Sequence, residues 1–223
     1  MSGKILLTLI WVGFVGYAFT LAPPNQPDTF ELIKNLSTAN VAGINPLIVA
    51  LFNIMGFLPL AYACITFLDG RSQKIPAWLF TAASFGVGAF SLLPYLIFRK
   101  SNPTFTGQKN WFLKLMDSRI TGGVIALGAI GLFLYGVTNG DWSNFVQQWK
   151  TDRFIHVMSL DFCLLCGLFP VLLQDDIKRR GLENSQAFRI LSFLPFFGAL
   201  MYLVLRPSTI EPSTSVSPEK VPA

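Results

Sequence analysis

The side chains able to do chemistry concentrate in one stretch of the chain, TDRFIHVMSLDFCLLCGLFP, from Thr151 to Pro170. This stretch contains the only histidine, His156, together with Asp161, Cys163 and Cys166. Side chains of these types can relay protons, exchange thiols with disulfides or bind metal ions. Because the rest of the stretch is mostly apolar, the alternative is that it forms a membrane helix with a few polar residues.

Asp161 lies near the middle of the apolar run, at a depth where an ionised carboxylate costs several kcal/mol. Such a side chain is expected to face the protein interior and to have a hydrogen-bonding partner. Asn53 in another apolar run is one candidate partner, and Ser84 or Ser91 in a third run are others. Both a functional role and a structural hydrogen bond to a neighbouring helix fit this position.

His156 precedes Asp161 by five residues, which on a helix separates the two side chains by about 140° around the axis. A histidine–aspartate dyad within one helix is therefore not expected. One interpretation of His156 is an interfacial histidine paired with Asp152, and the other is a proton relay or a cofactor ligand. No particular cofactor is indicated.

Cys163 and Cys166 have the C-x-x-C spacing that thiol oxidoreductases use. In those enzymes the attacking thiol lies at a helix N-terminus or beside a cation, whereas these two cysteines lie within an apolar run. Packing is the main interpretation, and redox chemistry by the pair is the alternative. A metal site is not predicted, because one histidine and Cys64 add too few soft ligands.

The elements that must position these residues are membrane helices, because 52% of the 223 residues are hydrophobic and 13% are charged. Runs of about twenty apolar residues can cross a bilayer. Six such runs predict an all-α polytopic membrane protein, with six transmembrane helices in one bundle formed by residues 1–206. The runs are 5–22, 46–68, 76–98, 119–137, 154–173 and 188–205, and the proline- and serine-rich segment 207–223 is predicted to be disordered.

The basic residues lie mainly in the short loops between runs, so they indicate topology rather than nucleic-acid binding. With six spans, 10 of the 17 lysines and arginines fall on one side of the membrane and 7 on the other. This slight bias places both termini on the non-cytoplasmic side.

Two short sequences recur in matching runs. GFLP (56–59) and YLIFR (95–99) in the first half match GLFP (167–170) and YLVLR (202–206) in the second. A unit of three spans used twice would give two inverted halves, as in many transporters. Chance recurrence of common membrane residues is the alternative.

Three longer segments carry a family resemblance: NPLIVALFNIMGFLPLAYACITFLDGRSQKIPAWLF, ASFGVGAFSLLPYLIFRK and RFIHVMSLDFCLLCGLFPVLLQDDIKRRG. Together they resemble an uncharacterised family of small multi-span membrane proteins of cyanobacteria and chloroplasts. The resemblance implies a thylakoid or plasma membrane of a cyanobacterium. It implies no catalytic residues.

The sequence leaves three functions open. The first is a non-enzymatic component, or an assembly or stability factor, of a photosynthetic membrane, with the lipid bilayer and a larger membrane complex as partners. The second is a small proton-coupled transporter that uses Asp161, with Asn53 and His156 as further candidate residues of an intramembrane polar site. The third is a thiol or quinone redox enzyme that uses Cys163 and Cys166.

Overall fold

The computed structural model describes residues 2–191 and 193–211, and within them the chain is 74% helix with no strand. The predicted all-α class is therefore confirmed. The helices, in chain order, are α1 (Ser2–Thr20), α2 (Thr29–Ser37), α3 (Pro46–Asp69), α4 (Ala77–Val87), α5 (Ala89–Phe98), α6 (Trp111–Met116), α7 (Arg119–Asn139), α8 (Trp142–Thr151), α9 (Arg153–Arg179), α10 (Gln186–Leu191) and α11 (Phe197–Leu205).

Four helices in the described part of the chain are long and apolar enough to cross a membrane, namely α1, α3, α7 and α9. They coincide with the first, second, fourth and fifth predicted spans. The third and sixth predicted spans are each divided into two short helices, α4 with α5 and α10 with α11. Four of the six predicted spans are single helices of spanning length in the described residues, and a bundle of six transmembrane helices is not confirmed.

Helices α4 and α5 form a helical hairpin. Gly70, just after α3, lies against Ala77 at the start of α4, and the Ser91 hydroxyl of α5 donates to the Phe80 carbonyl of α4 at 2.8 Å. The end of α5 then returns to the end of α3, where the Tyr95 hydroxyl donates to Asp69. The hairpin therefore enters and leaves at the same end of the bundle.

Helices α10 and α11 repeat this arrangement. The ring of Phe188 in α10 packs edge-to-face on Tyr202 in α11, at 5.6 Å between centroids. The Tyr202 hydroxyl donates to Asp176 near the end of α9 at 2.7 Å. The break between the two helices contains Pro195 and Phe196, the latter with a φ of 59°.

The long helices α3 and α9 run parallel to each other. At their N-terminal end, called here the cap end, Asn45 caps α3 and Asp152 caps α9, and Asn45 donates to the Asp141 carbonyl just before α8 at 2.7 Å. At the other end, called here the network end, Arg179 of α9 pairs with Asp69 of α3 at 2.6 Å. Helices α1 and α7 run in the opposite direction.

The chain consists of two similar units in the same orientation. From α3 to α5 and from α9 to α11, equivalent residues are 107 positions apart, as shown by both N-caps (45 and 152) and by the contacts of three further pairs (69 and 176, 95 and 202, 99 and 206). Each unit has two antiparallel helices that are long and apolar enough to cross a membrane, and a hairpin that enters and leaves at one end. The halves are therefore parallel, and the inverted arrangement inferred from three spans per unit is wrong.

The two pairs of recurring short sequences differ in whether their spacing matches this repeat. YLIFR and YLVLR match its spacing, whereas GFLP and GLFP are 111 positions apart, four more than the repeat. Four residues are about one helical turn. The second pair therefore does not mark equivalent positions.

Residues 207–211 of the predicted tail lie against the helices. The Thr209 N–H donates to Asp117 at 2.8 Å, and Thr209 is buried. The prediction of disorder from composition did not include this contact, because the contact depends on one buried carboxylate, that of Asp117. Residues 212–223, the rest of that prediction, lie outside the described residues.

Candidate functional site

Asp161 holds the tip of the first hairpin. Its carboxylate, on the spanning helix α9, accepts a hydrogen bond from the backbone N–H of Ala89 at 2.7 Å. Ala89 is the first residue of α5, and the first N–H groups of a helix have no partner within the helix. The partial positive charge of that helix end also favours a carboxylate. The contact therefore gives the buried carboxylate a partner and the hairpin tip an anchor.

Gly88 makes this contact possible. Its φ of +51° is one that other residues rarely adopt, and it ends α4 and begins α5. A side chain at this position would overlap the Asp161 carboxylate. The glycine therefore serves both the chain reversal and the close approach of the two elements.

The Asp161 side chain lies in the wall of a cavity of about 630 Å³. The cavity extends from the hairpin tip toward the cap end, between α1, α3, α4 and α9. Most of its lining is apolar, and Asp161 and Arg153 are the charged residues in it. The lining includes Ala18, Phe19, Asn25, Thr29, Phe52, Met55, Ser84, Phe85, Val87, Phe90, Phe154, Val157 and Met158.

Arg153 marks the cap-end side of the cavity. Its Nε donates to the Pro23 carbonyl at 2.8 Å and its backbone N–H donates to Pro24 at 3.2 Å, so α9 is tied there to the segment after α1. Arg153 and Asp161 are eight residues apart on one helix, or about 12 Å along its axis. The two charges of the cavity are therefore at opposite ends of it.

The structure does not bring the predicted partners of Asp161 to its carboxylate. The Asn53 amide donates to Val49 in its own helix at 2.8 Å, and the Ser84 and Ser91 hydroxyls donate within their own hairpin. The partner is instead a backbone N–H. The sequence signal for it is Gly88 within the third apolar run, because a glycine can end a helix there.

His156 is held outside the cavity by two hydrogen bonds. Its Nδ1 lies 2.8 Å from the Trp149 carbonyl, and its Nε2 lies 2.8 Å from the Tyr17 hydroxyl. A carbonyl only accepts, so Nδ1 carries a proton and Nε2 of the neutral ring accepts from Tyr17. The predicted pairing with Asp152 is not formed, because the Asp152 carboxylate caps α9.

The three cysteines are unpaired, with Cys64 and Cys166 buried and Cys163 exposed. Within residues 2–191 and 193–211, no group of three or more histidine, cysteine, aspartate or glutamate residues is placed to hold a metal ion. The predicted redox pair therefore consists of two thiols with different exposure on one helix.

The sequence analysis did not predict the group of buried ion pairs that lies at the network end. Arg179 lies between Asp69 and Asp176, at 2.6 and 2.9 Å, and Arg99 lies between Asp69 and Asp175, at 2.6 and 2.5 Å. All five side chains are buried. Paired charges of this kind are tolerated away from water only when their hydrogen bonds are satisfied. The repeated YLIFR and YLVLR sequences were the one available signal for it.

Asp117, between α6 and α7, extends this network. It pairs with Arg180 at 2.7 Å and with Lys109 at 2.9 Å, and it accepts the Thr209 N–H. Burial alone would raise the pKa of the Asp117 carboxyl, but Arg180, Thr209 and Lys109 together outweigh burial and hold this pKa below its usual value. Asp117 is therefore ionised at neutral pH.

Comparison with known proteins finds no matching family model, no matching curated protein and no matching solved structure. The resemblance to a cyanobacterial and chloroplast family therefore stays a prediction.

Proposed function

We propose that this protein is a small membrane carrier in which Asp161 binds and releases a proton. The observation that carries the proposal is the position of one carboxylate, which touches both the tip of a re-entrant hairpin and the wall of a large apolar cavity. Ionisable residues within membrane helices commonly mark the paths of protons, ions or substrates.

The hydrogen bond from Ala89 couples the charge of Asp161 to the position of the hairpin. A helix N-terminus attracts a carboxylate more strongly than a neutral carboxylic acid. Gaining a proton at Asp161 therefore weakens the contact that anchors the tip. The hairpin and the protonation of Asp161 are linked for this reason.

The cavity and the network lie on opposite sides of the hairpin tip. The cavity reaches Asn25 and Arg153 at the cap end, whereas Leu92, Leu93 and Tyr95 of α5 are fully buried below the tip. This arrangement supports a carrier that is open toward the cap end. Opening toward the network end requires the hairpin to move relative to α9.

The charge distribution supports an orientation opposite to the one predicted from six spans. Of the basic residues whose side chains the structure describes, three lie at the cap end: Lys34, Lys150 and Arg153. Twelve lie at the network end: Lys4, Arg71, Lys74, Arg99, Lys100, Lys109, Lys114, Arg119, Lys178, Arg179, Arg180 and Arg206. Cytoplasmic loops carry the excess of basic residues, so the network end, the start of α1 and the end of α11 are cytoplasmic. A cyanobacterial thylakoid or plasma membrane remains the predicted location.

Proton binding at Asp161 can be tested in proteoliposomes adsorbed on a solid-supported membrane. A rapid change of external pH should produce a transient current in the wild type, because a proton enters a site within the membrane. Asp161→Asn should abolish this current, and Glu183→Gln, which removes an exposed carboxylate after α9, should retain it. An unchanged current in Asp161→Asn would remove Asp161 from the mechanism.

The other two functions inferred from the sequence give different results with the same protein. A component or assembly factor of a photosynthetic membrane should be recovered with a larger complex from detergent-solubilised membranes and should show no such current. A redox enzyme should lose activity in Cys163→Ser, and its two thiols should titrate together with a redox buffer.

A further inference from the structure

We propose that the cavity binds a lipophilic cation, a molecule with a mostly apolar body and one positive charge, and that this cation and a proton compete for Asp161. This inference rests on the proposed carrier function and names its class of substrate.

The walls of the cavity suit an apolar or aromatic body. Five phenylalanines line it (Phe19, Phe52, Phe85, Phe90 and Phe154), together with Met55 and Met158. Aromatic ring faces attract organic cations, and methionine side chains adapt to ligands of different shape. A cavity of about 630 Å³ is within the range that encloses ligands of drug size.

The charge of the ligand follows from the deep end of the cavity. One oxygen of Asp161 accepts the Ala89 N–H, and the other makes no hydrogen bond with the described residues. A positive group on the ligand would satisfy that oxygen, whereas an anion would meet both a carboxylate and the negative faces of the rings. The site therefore selects a cation over an anion of equal size.

Arg153 limits this preference. Its guanidinium belongs to the same cavity at the cap-end side and repels a cation that enters there. Removing its charge should therefore strengthen binding of a cation, which is the opposite of the effect of removing the charge of Asp161.

Competition between the cation and a proton follows because one carboxylate cannot neutralise both. The other charged or titratable groups on the elements around Asp161, apart from those of the two helix ends, are Arg153, His156, Cys163 and Cys166 on α9, Tyr62 and Cys64 on α3, Tyr17 on α1 and Tyr95 on α5. The Tyr62 hydroxyl donates to the Leu165 carbonyl at 2.6 Å, and His156 is held by Tyr17 and Trp149 outside the cavity. Binding of the cation should therefore weaken as the pH falls and Asp161 takes up a proton.

The test uses two ions of nearly the same shape and opposite charge, tetraphenylphosphonium and tetraphenylborate. Equilibrium binding to the full-length protein in uncharged detergent is measured by dialysis at several pH values. We expect the wild type to prefer the phosphonium by at least about tenfold, Asp161→Asn to lose about tenfold in phosphonium affinity, and Arg153→Gln to gain a few-fold. Glu183→Gln is the matched control and should bind as the wild type does.

Asp161→Asn keeps the side-chain volume, so we expect this variant to fold. Thermal unfolding checks that each variant is folded. Equal binding of the two ions by the wild type, or unchanged phosphonium affinity in folded Asp161→Asn, would overturn the inference. If the pH-jump current depends on Asp161 but phosphonium does not bind, the substrate class is wrong and the carrier function stands. If the current is also independent of Asp161, both proposals fail.

Discussion

Asp69 and Asp176, 107 positions apart in the chain (69 to 176), are joined by one arginine. Arg179 donates to Asp69 at 2.6 Å and to Asp176 at 2.9 Å, and all three side chains are almost completely buried. Asp69 accepts a hydrogen bond from the Tyr95 hydroxyl, and Asp176 accepts one from the Tyr202 hydroxyl. Arg179 therefore links equivalent points of the two units, and each point also holds the returning helix of a hairpin.

Arg179→Gln should destabilise the protein strongly. Removing one member of a buried ionic group leaves uncompensated charge and costs about 3–5 kcal/mol. The neighbouring Lys178 is exposed, so Lys178→Gln is the control and should change stability by less than about 0.5 kcal/mol. Unfolding in detergent can be followed with a thiol-reactive dye, because Cys64 and Cys166 are buried in the folded state. Equal unfolding temperatures for the two variants would show that the network does not hold the units together.

Gly88→Ala should displace the hairpin tip. The added methyl group would overlap the Asp161 carboxylate, and the φ of +51° disfavours alanine. We expect a loss of stability of about 2 kcal/mol or more and weaker binding of tetraphenylphosphonium.

The matched control for Gly88→Ala is Gly131→Ala in α7. A Cβ there meets nothing within 4 Å, and alanine is the better helix former. Gly131→Ala should therefore be neutral or slightly stabilising. A Gly88→Ala protein as stable as Gly131→Ala would contradict the described tip geometry.

Asp117→Asn should lower stability at neutral pH but not in acid. The folded pKa of Asp117 lies below the unfolded value, which is about 3.9. Its contribution is therefore present above about pH 4 and is lost as the pH falls through the folded value. The unfolding temperatures of the wild type and the variant should differ by several degrees at pH 7 and should converge in acid. A difference that stays constant down to pH 3 would mean that the charge of Asp117 is not what stabilises this site.

The orientation can be tested by labelling single cysteines in intact spheroplasts with a membrane-impermeant maleimide. Asn40→Cys, near the cap end, should react from outside, and Gln73→Cys, near the network end, should react only after the membrane is permeabilised. The native cysteines lie within spanning helices and serve as the background. The reverse labelling pattern would restore the orientation predicted from the six-span count.

Hydropathy was sufficient to find the four helices that are long and apolar enough to cross a membrane, but not to recognise the hairpins. A run such as 76–98 is apolar along its whole length whether it crosses the bilayer or turns back within it. Whether this run continues or turns back depends on Gly88. Glycine does not identify a turn by itself, because it is common in membrane helices without ending them. Because a crossing inverts every later loop, assigning the third run as a crossing led to the prediction of inverted halves.

Much of the candidate site depends on contacts between distant parts of the chain. Asp161 was recognisable by its depth, but its partner is a backbone N–H exposed only because α5 begins at Ala89. The network residues Asp69 and Asp176 lie at the ends of apolar runs, where a charged side chain usually faces water. Apart from the repeated YLIFR and YLVLR sequences, the sequence does not indicate that these two residues are buried together.

The proposed even number of membrane crossings in each unit has an evolutionary consequence. A chain that returns to its starting side after one unit can be joined head to tail to a copy of itself with both copies inserted the same way. A gene encoding one unit could thus double by simple tandem fusion, whereas a unit with three crossings would first need to insert in both directions. The bridging arginine, Arg179, has no counterpart at the equivalent position of the first half, where Ser72 stands. After such a fusion, a substitution to arginine at that position adds a direct link between Asp69 and Asp176 to the one that Arg99 makes between Asp69 and Asp175.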